Sequence, residues 1–303
     1  MKQQTMVEQL SILIPTYNDV CYDMVDEIVK QASNTIGSCK WEVIVAEDGS
    51  TDSNSIFQNN KIEHFPHCRH LILKENIGRA AIRNHLAKEA HYNRLLFIDA
   101  GLSLPPYFLK KYILADQADV VCGGVGISGL NTSNLRFLYE SEACTRFSPE
   151  KRSSNPYKSF RTSNFMNLKD VMISHPLRSD IKTYGYEDVI FGMDLEKSHT
   201  SICHIDNPAR YKFFEPNDIY INKVEESMYT LACLSEELHG YSPLLDTTIK
   251  LRAMYLQPIL RLLYNLIGKM LRKKLTGDKP SLSALKIYKL LYFASIYHHT
   301  KST

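Results

Sequence analysis

The sequence has no glycine in the turn after its first predicted strand, no phosphate-loop signature, no C-x-x-C pair and no H-E-x-x-H. A dinucleotide-binding enzyme needs that first glycine-rich turn so that its backbone can approach a pyrophosphate, and a P-loop enzyme needs its own signature, so both classes are excluded. The seven cysteines, from Cys21 to Cys233, are odd in number and scattered. That pattern argues against a disulfide framework and against a cysteine zinc site, and it favours a reducing compartment. Residues 1–10 hold no apolar run of signal-peptide length, so the chain is expected to stay in the cytoplasm. Long apolar runs are lacking elsewhere too: after Arg261 the uncharged stretches Leu262–Gly268 and Leu290–Thr300 are both too short to cross a bilayer.

What is present is an ordinary globular composition, 44% hydrophobic and 23% charged over 303 residues, enough for one substantial core and a helical appendage. The net charge of +3 is unevenly distributed. Lys250–Thr303 carries eleven basic residues against the single acid Asp278, so the rest of the chain is net acidic. A basic tail of this kind suits an anionic partner, either a nucleic acid or a phospholipid surface.

Short β-rich runs alternate with helical spacing through the first half. Leu10–Ile14, Glu42–Ala46, His70–Leu73, Arg94–Ile98 and Asp119–Cys122 read as strands, and a helix is expected to start near Gly78. Buried runs separated by helices imply a mostly parallel sheet covered on both faces. The polar clusters fall at strand ends: Pro15-Thr16-Tyr17-Asn18, Glu47-Asp48-Gly49-Ser50-Thr51-Asp52, Asn76-Ile77-Gly78-Arg79 and Asp99-Ala100-Gly101. In an open α/β sheet the ligand crevice lies outside the carboxyl ends of the strands, so the clusters converge on one place. A tyrosine and a hydroxyl there suit stacking and hydrogen bonding to a nucleobase; a plain turn with Asn18 or Asp19 as helix cap is the alternative.

In order and separation, Ser11–Asn18, Val45–Asp52, Asn76–Asn84 and Gly185-Tyr186-Glu187-Asp188 resemble glycosyltransferase family 2 over residues 10–225. The resemblance implies a GT-A fold: a Rossmann-like three-layer α/β sandwich over residues 1–225, followed by a basic helical extension over 226–303. It implies an inverting transferase that moves a sugar from a nucleotide-diphosphate donor, UDP-linked by preference, to a glycan or lipid-linked acceptor in cell-surface polysaccharide synthesis. Asp188 is the expected general base, with Glu187 raising its pKa or binding the acceptor. Pro15, Thr16, Tyr17, Asn18, Glu47, Asp48, Arg79, Arg83 and Asp99 are the expected donor-site residues. Asp48 would accept a uracil-type N–H. Arg83, four residues from Arg79 on one helix face, would offer a planar fork to the diphosphate or base edge. Asn164, in a segment like the family's acceptor-side strand, is expected to contact donor sugar or acceptor.

The chain also departs from the family. A second acid belongs two residues after Asp99, where this chain has Gly101, and a metal-ligating histidine aligns with Tyr211. Asp99 alone would hold Mg2+ or Mn2+ weakly. Three outcomes are open: a cation bound through the donor's phosphates, its replacement by side chains such as Arg210 and Lys212, or a non-catalytic member that only binds nucleotide sugar or a partner. In the tail, residues 251–275 intersperse Arg261, Lys269, Arg272, Lys273 and Lys274 among leucine and isoleucine. They are expected to lie on an anionic membrane surface at the inner face of the cell membrane. Nucleic acid is not the expected partner, because few aromatics are placed for stacking.

Overall fold

The structure is a computed structural model that describes residues 7–35, 37, 39–115, 118–129, 134–250, 257–273 and 278–297. Ten strands are found among them: β1 Gln9–Thr16, β2 Lys40–Glu47, β3 Cys68–Ile72, β4 Arg94–Ile98, β5 Leu102–Ser103, β6 Val120–Cys122, β7 Val125–Ile127, β8 Asn164–Leu168, β9 Ile202–His204 and β10 Ala209–Tyr211. Seven form one sheet in the order β3-β2-β1-β4-β8-β6-β9, and β5-β10-β7 form a second. In the large sheet only β8 runs against its neighbours, pairing antiparallel with both β4 and β6. The sheet is therefore mostly parallel, as expected.

Strand periodicity explains the layers. Ile12, Ile14, Val43, Val45, Leu96 and Ile98 enter one apolar cluster with Met24, Val25 and Ile28 of the helix Tyr22–Thr35. Their neighbours Leu13, Ile44, Ala46, Leu95 and Phe97 enter another, with Ile82 and Leu86 of Arg79–Glu89 and Phe191 and Leu195 of Glu187–Lys197. Successive residues point to opposite faces, and both faces are covered, so these strands read as continuous apolar runs. The first strand was expected to end at Ile14, yet it continues through Pro15 to Thr16. The ladder with β4 ends at Leu13↔Phe97, so beyond it a missing N–H forfeits no bond on that side.

Backbone contacts divide the chain into two compact units that interleave in sequence, where one division at residue 225 was expected. One comprises Met1–Ser128, Arg146–Asp180 and Glu187–Lys212; the other Gly129–Thr145, Ile181–Tyr186 and Phe213–Thr303. The physical reason lies in the helix Leu135–Arg146. Its Leu135 joins Tyr220, Ile221, Val224, Leu271, Leu285 and Tyr288 in the second unit's core. Arg136 pairs with Glu215, and the Leu135 amide donates to Asn217 Oδ1 at 2.7 Å. Within this unit the helix Gln257–Lys273 packs by Leu271 and Tyr264, while Arg272 reaches Glu225 Oε1 and Asn222 Oδ1, both at 2.7 Å. Its other side differs: Leu262 is 70% exposed and Leu266 58%, and Arg261, Lys269 and Lys273 are exposed beside them. Of the expected membrane-facing segment, residues 251–256, 274 and 275 lie outside the described residues. Among the described residues no helix is long and apolar enough to cross a membrane.

Candidate active site

Three loops meet at the carboxyl ends of β1, β2 and β3, and backbone donors lock them together. Asn18 takes a left-handed conformation, φ 53°, which asparagine tolerates better than most residues. Its Oδ1 accepts the Thr51 and Asp52 amides at 2.7 and 2.8 Å, and its own amide donates to Ser50 Oγ at 2.9 Å. The third loop is seated on Gly49, whose φ is 65°; a Cβ there would collide with the Asn76 amide and the Glu75 carbonyl. Asp48 completes the clamp by accepting the Ile77 and Gly78 amides at 2.7 and 3.1 Å. Its carboxylate keeps further lone-pair capacity, since an ionised carboxylate offers about four acceptor sites.

Beneath the clamp, Glu47 is fully buried and accepts Asn59 Nδ2 at 2.8 Å, His70 Nε2 at 3.2 Å and the Ser50 hydroxyl. Burial pushes its carboxyl up, but the hydrogen bonds from His70, Asn59 and Ser50 outweigh burial and hold it below the usual range. Thr16 is buried with its hydroxyl on the Asp19 carbonyl, Pro15 is half-buried, and Tyr17 stands 50% exposed. Thus Asn18 and Glu47 build the crevice, whereas Tyr17 is open to a ligand.

The charged end of the crevice is made of ion pairs. Arg83 is bonded to Asp99 and donates to the Arg79 carbonyl at 2.7 Å; its Nε is buried with no hydrogen-bond partner among the described residues. Arg79 Nε meets Glu187 Oε1 at 3.1 Å, and Arg161 meets Asp188 Oδ2 at 3.5 Å. Glu187 and Asp188 open the helix Glu187–Lys197, where a helix N-terminus favours negative charge. Arg79, Arg83, Asp99 and Glu187 are thus linked by contacts, with Asp188 next in the chain.

Two expected roles change. Arg83 is only 3% exposed, so the accessible cation of its pair is Arg79. Asn164 is buried, accepting the Tyr112 hydroxyl at 2.7 Å and donating to the Gly124 and Asn207 carbonyls at 2.7 and 2.9 Å. It anchors the Gly123–Gly124 turn rather than reaching a ligand.

Sequence reasoning missed His70 and Asp19. His70 lies inside β3, where a histidine in an apolar run carries no signal of its own. Asp19 looked like a helix cap, but its carboxyl sits beside Gly101, where burial raises its pKa and the Lys212 charge opposes that rise.

The donor set does not fit a divalent cation. Asp99 is held by Arg83, Gly101 has no side chain, and no group of three His, Cys, Asp or Glu among the described residues could hold a metal. A hard cation wants several oxygen ligands, and a phenol such as Tyr211 is a poor substitute.

Known proteins resemble the chain in sequence and in shape. An uncharacterized glycosyltransferase of Escherichia coli (strain K12), YibD, is 29% identical over 117 residues, 37% of this chain and 32% of that protein. The match thus spans about a third of that relative's length. Among solved structures, the mannosyltransferase PcManGT from Pyrobaculum calidifontis, in complex with GDP-Man and Mn2+, has a TM-score of 0.61 at 13% identity. The similarity covers 99% of this chain and 89% of that one, and it shows the GT-A fold. S. aureus TarS 1–349 in complex with UDP gives a TM-score of 0.49 at 15% identity, covering 97% of this chain and 91% of that one. The model of glycosyl transferase family 2 matches residues 11–176, more than half of the chain, and the chain belongs to that family.

Proposed function

We propose that the chain is an inverting glycosyltransferase using a nucleotide-diphosphate sugar, UDP-linked by preference, and a glycan or lipid-linked acceptor in cell-surface polysaccharide synthesis. The observation that carries this reading is the convergence, at the carboxyl ends of the strands, of a locked loop cluster and an ion-paired cluster that ends at Asp188. Tyr17 offers its ring to the base, and Asp48 a remaining lone pair to a ring N–H. Arg79 exchanges Glu187 for the diphosphate. Asp188 takes the proton of the acceptor hydroxyl as that oxygen attacks the anomeric carbon. The bond from the anomeric carbon to the phosphate oxygen breaks, and the nucleoside diphosphate leaves with its electron pair. Because the attack is opposite the leaving group, the configuration inverts.

A membrane surface completes the proposal. The exposed Leu262 and Leu266, flanked by Arg261, Lys269 and Lys273, suit the inner face of the cell membrane, where a lipid-linked acceptor is presented. The alternative, nucleotide sugar bound without turnover, is favoured by Gly101 and Tyr211. Nucleoside diphosphate release from a panel of UDP- and GDP-sugars, with lipid extract as acceptor, separates the two. Asp188→Asn is expected to lower kcat by about 10²–10⁴-fold while leaving donor affinity unchanged. A variant retaining more than about a tenth of the parent kcat moves the base elsewhere. Binding without release in the parent establishes the non-catalytic reading.

A further inference from the structure

Gly101, Asp19 and Lys212 come from three separate segments and meet at the carboxyl end of β4. A Cβ on Gly101 would stand 3.4 Å from Asp19 Oδ2, and the Gly101 carbonyl accepts the Lys212 amide at 3.3 Å. Lys212 is half-buried at this junction; burial raises the Asp19 pKa and the Lys212 charge opposes that rise. Arg210, the other cation on this segment, is directed elsewhere. Its Cγ lies against Gly126, 3.4 Å from where a Cβ would be, and the residue is exposed.

The remaining acids of the crevice are already engaged. Asp99 is paired with Arg83, Glu187 with Arg79, Asp188 with Arg161, and Asp48 with two backbone amides. A divalent ion arriving here would have to displace fixed cations to gain carboxylate ligands, and it would stand next to the Lys212 ammonium. Like charges at such range oppose each other strongly in a half-buried site. A lysine ammonium, by contrast, is a compact point charge on a flexible stem, well suited to a phosphate oxygen.

Resting on the donor-site reading above, we propose that Lys212 joins Arg79 in binding the donor's diphosphate, so that nucleoside diphosphate binds this chain without a divalent cation. The small residue at position 101 leaves the space that an acidic side chain would fill, and the lysine side chain serves in place of the ion that acid would hold.

Isothermal titration of the full chain with UDP and with uridine, in EDTA and then in Mn2+, tests the proposal on the parent, Lys212→Ala and Lys212→Arg. In EDTA the parent is expected to bind UDP at least about tenfold tighter than uridine, with Mn2+ shifting the UDP Kd by less than about threefold. Lys212→Ala is expected to weaken UDP about tenfold or more and leave uridine unchanged, and Lys212→Arg to restore most of the loss. UDP binding that appears only with Mn2+ overturns the proposal while keeping the donor site. So does a Lys212→Ala variant, melting like the parent, whose UDP affinity is unaltered or whose uridine affinity falls equally. A parent that binds neither UDP nor uridine under any condition overturns the donor-site reading and this proposal together.

Discussion

The two ends of the crevice are built from different interactions. Around Asn18, Gly49 and Asp48 the partners are backbone amides, whose positions the sheet fixes. Around Asp99, Glu187 and Asp188 the partners are arginine side chains, which can exchange one anion for another. One end is pre-organised, so a ligand binding there orders little; the other is charge-balanced by its own side chains and must trade partners to bind an anion. The comparison separates shape from charge, and substitutions should divide the same way.

After the loss of turnover in Asp188→Asn, the largest effect should come from Gly49→Ala. The added methyl collides with backbone rather than with a movable side chain, and the residue sits at positive φ. A loss of about 2–4 kcal/mol in stability is expected, read as a lower denaturant midpoint, together with weakened nucleotide binding. A thermally normal Gly49→Ala would show the third loop to be loosely seated.

Asp48→Ala should cost about 1–3 kcal/mol, because two amides lose their acceptor. UDP titration and chemical denaturation should both register the change. If only binding falls, Asp48 serves the ligand alone and the clamp is redundant.

A smaller, pH-dependent effect belongs to Glu47. Its folded pKa is depressed, so its contribution is fully present above the ordinary glutamate value and is lost as pH falls through the folded value. The midpoint of thermal unfolding should therefore decline on acidification below the ordinary glutamate range, and Glu47→Gln should flatten that part of the profile. An unaltered profile would remove Glu47 from the account of the base end.

The smallest effect on stability belongs to the helix Gln257–Lys273. Leu262→Glu with Leu266→Glu should change stability by no more than about 0.5 kcal/mol per site, since both leucines are exposed, yet abolish co-sedimentation with anionic vesicles. Equal pelleting of parent and variant would end the membrane assignment.

These residues also show what a sequence can tell. Continuous apolar runs made β1 and β2 legible, and the pairing of Arg79 with Glu187 follows from motifs that the fold brings to one crevice. Strands of two or three residues, such as β5 and β10, are too short to carry a period. Asn164 belongs to a segment that looked ligand-facing, but antiparallel pairing of β8 turned its amide into the protein. Arg272 was expected near lipid because a count of charges cannot see Glu225 across a helix interface.

The single reversed strand in the large sheet has a consequence for how the chain is made. β1 to β4 are drawn from residues 9–98 and pair with one another, so they can assemble while the rest of the chain is still being synthesised. Until Asn164–Leu168 emerges, β4 presents an open edge, the kind of surface that invites pairing with another nascent chain. β8 closes that edge and ties β6 to the first four strands, and β9, made later, then adds alongside β6. The vulnerable interval in synthesis therefore runs from the completion of β4 to the arrival of β8, and its length is set by the segment between them.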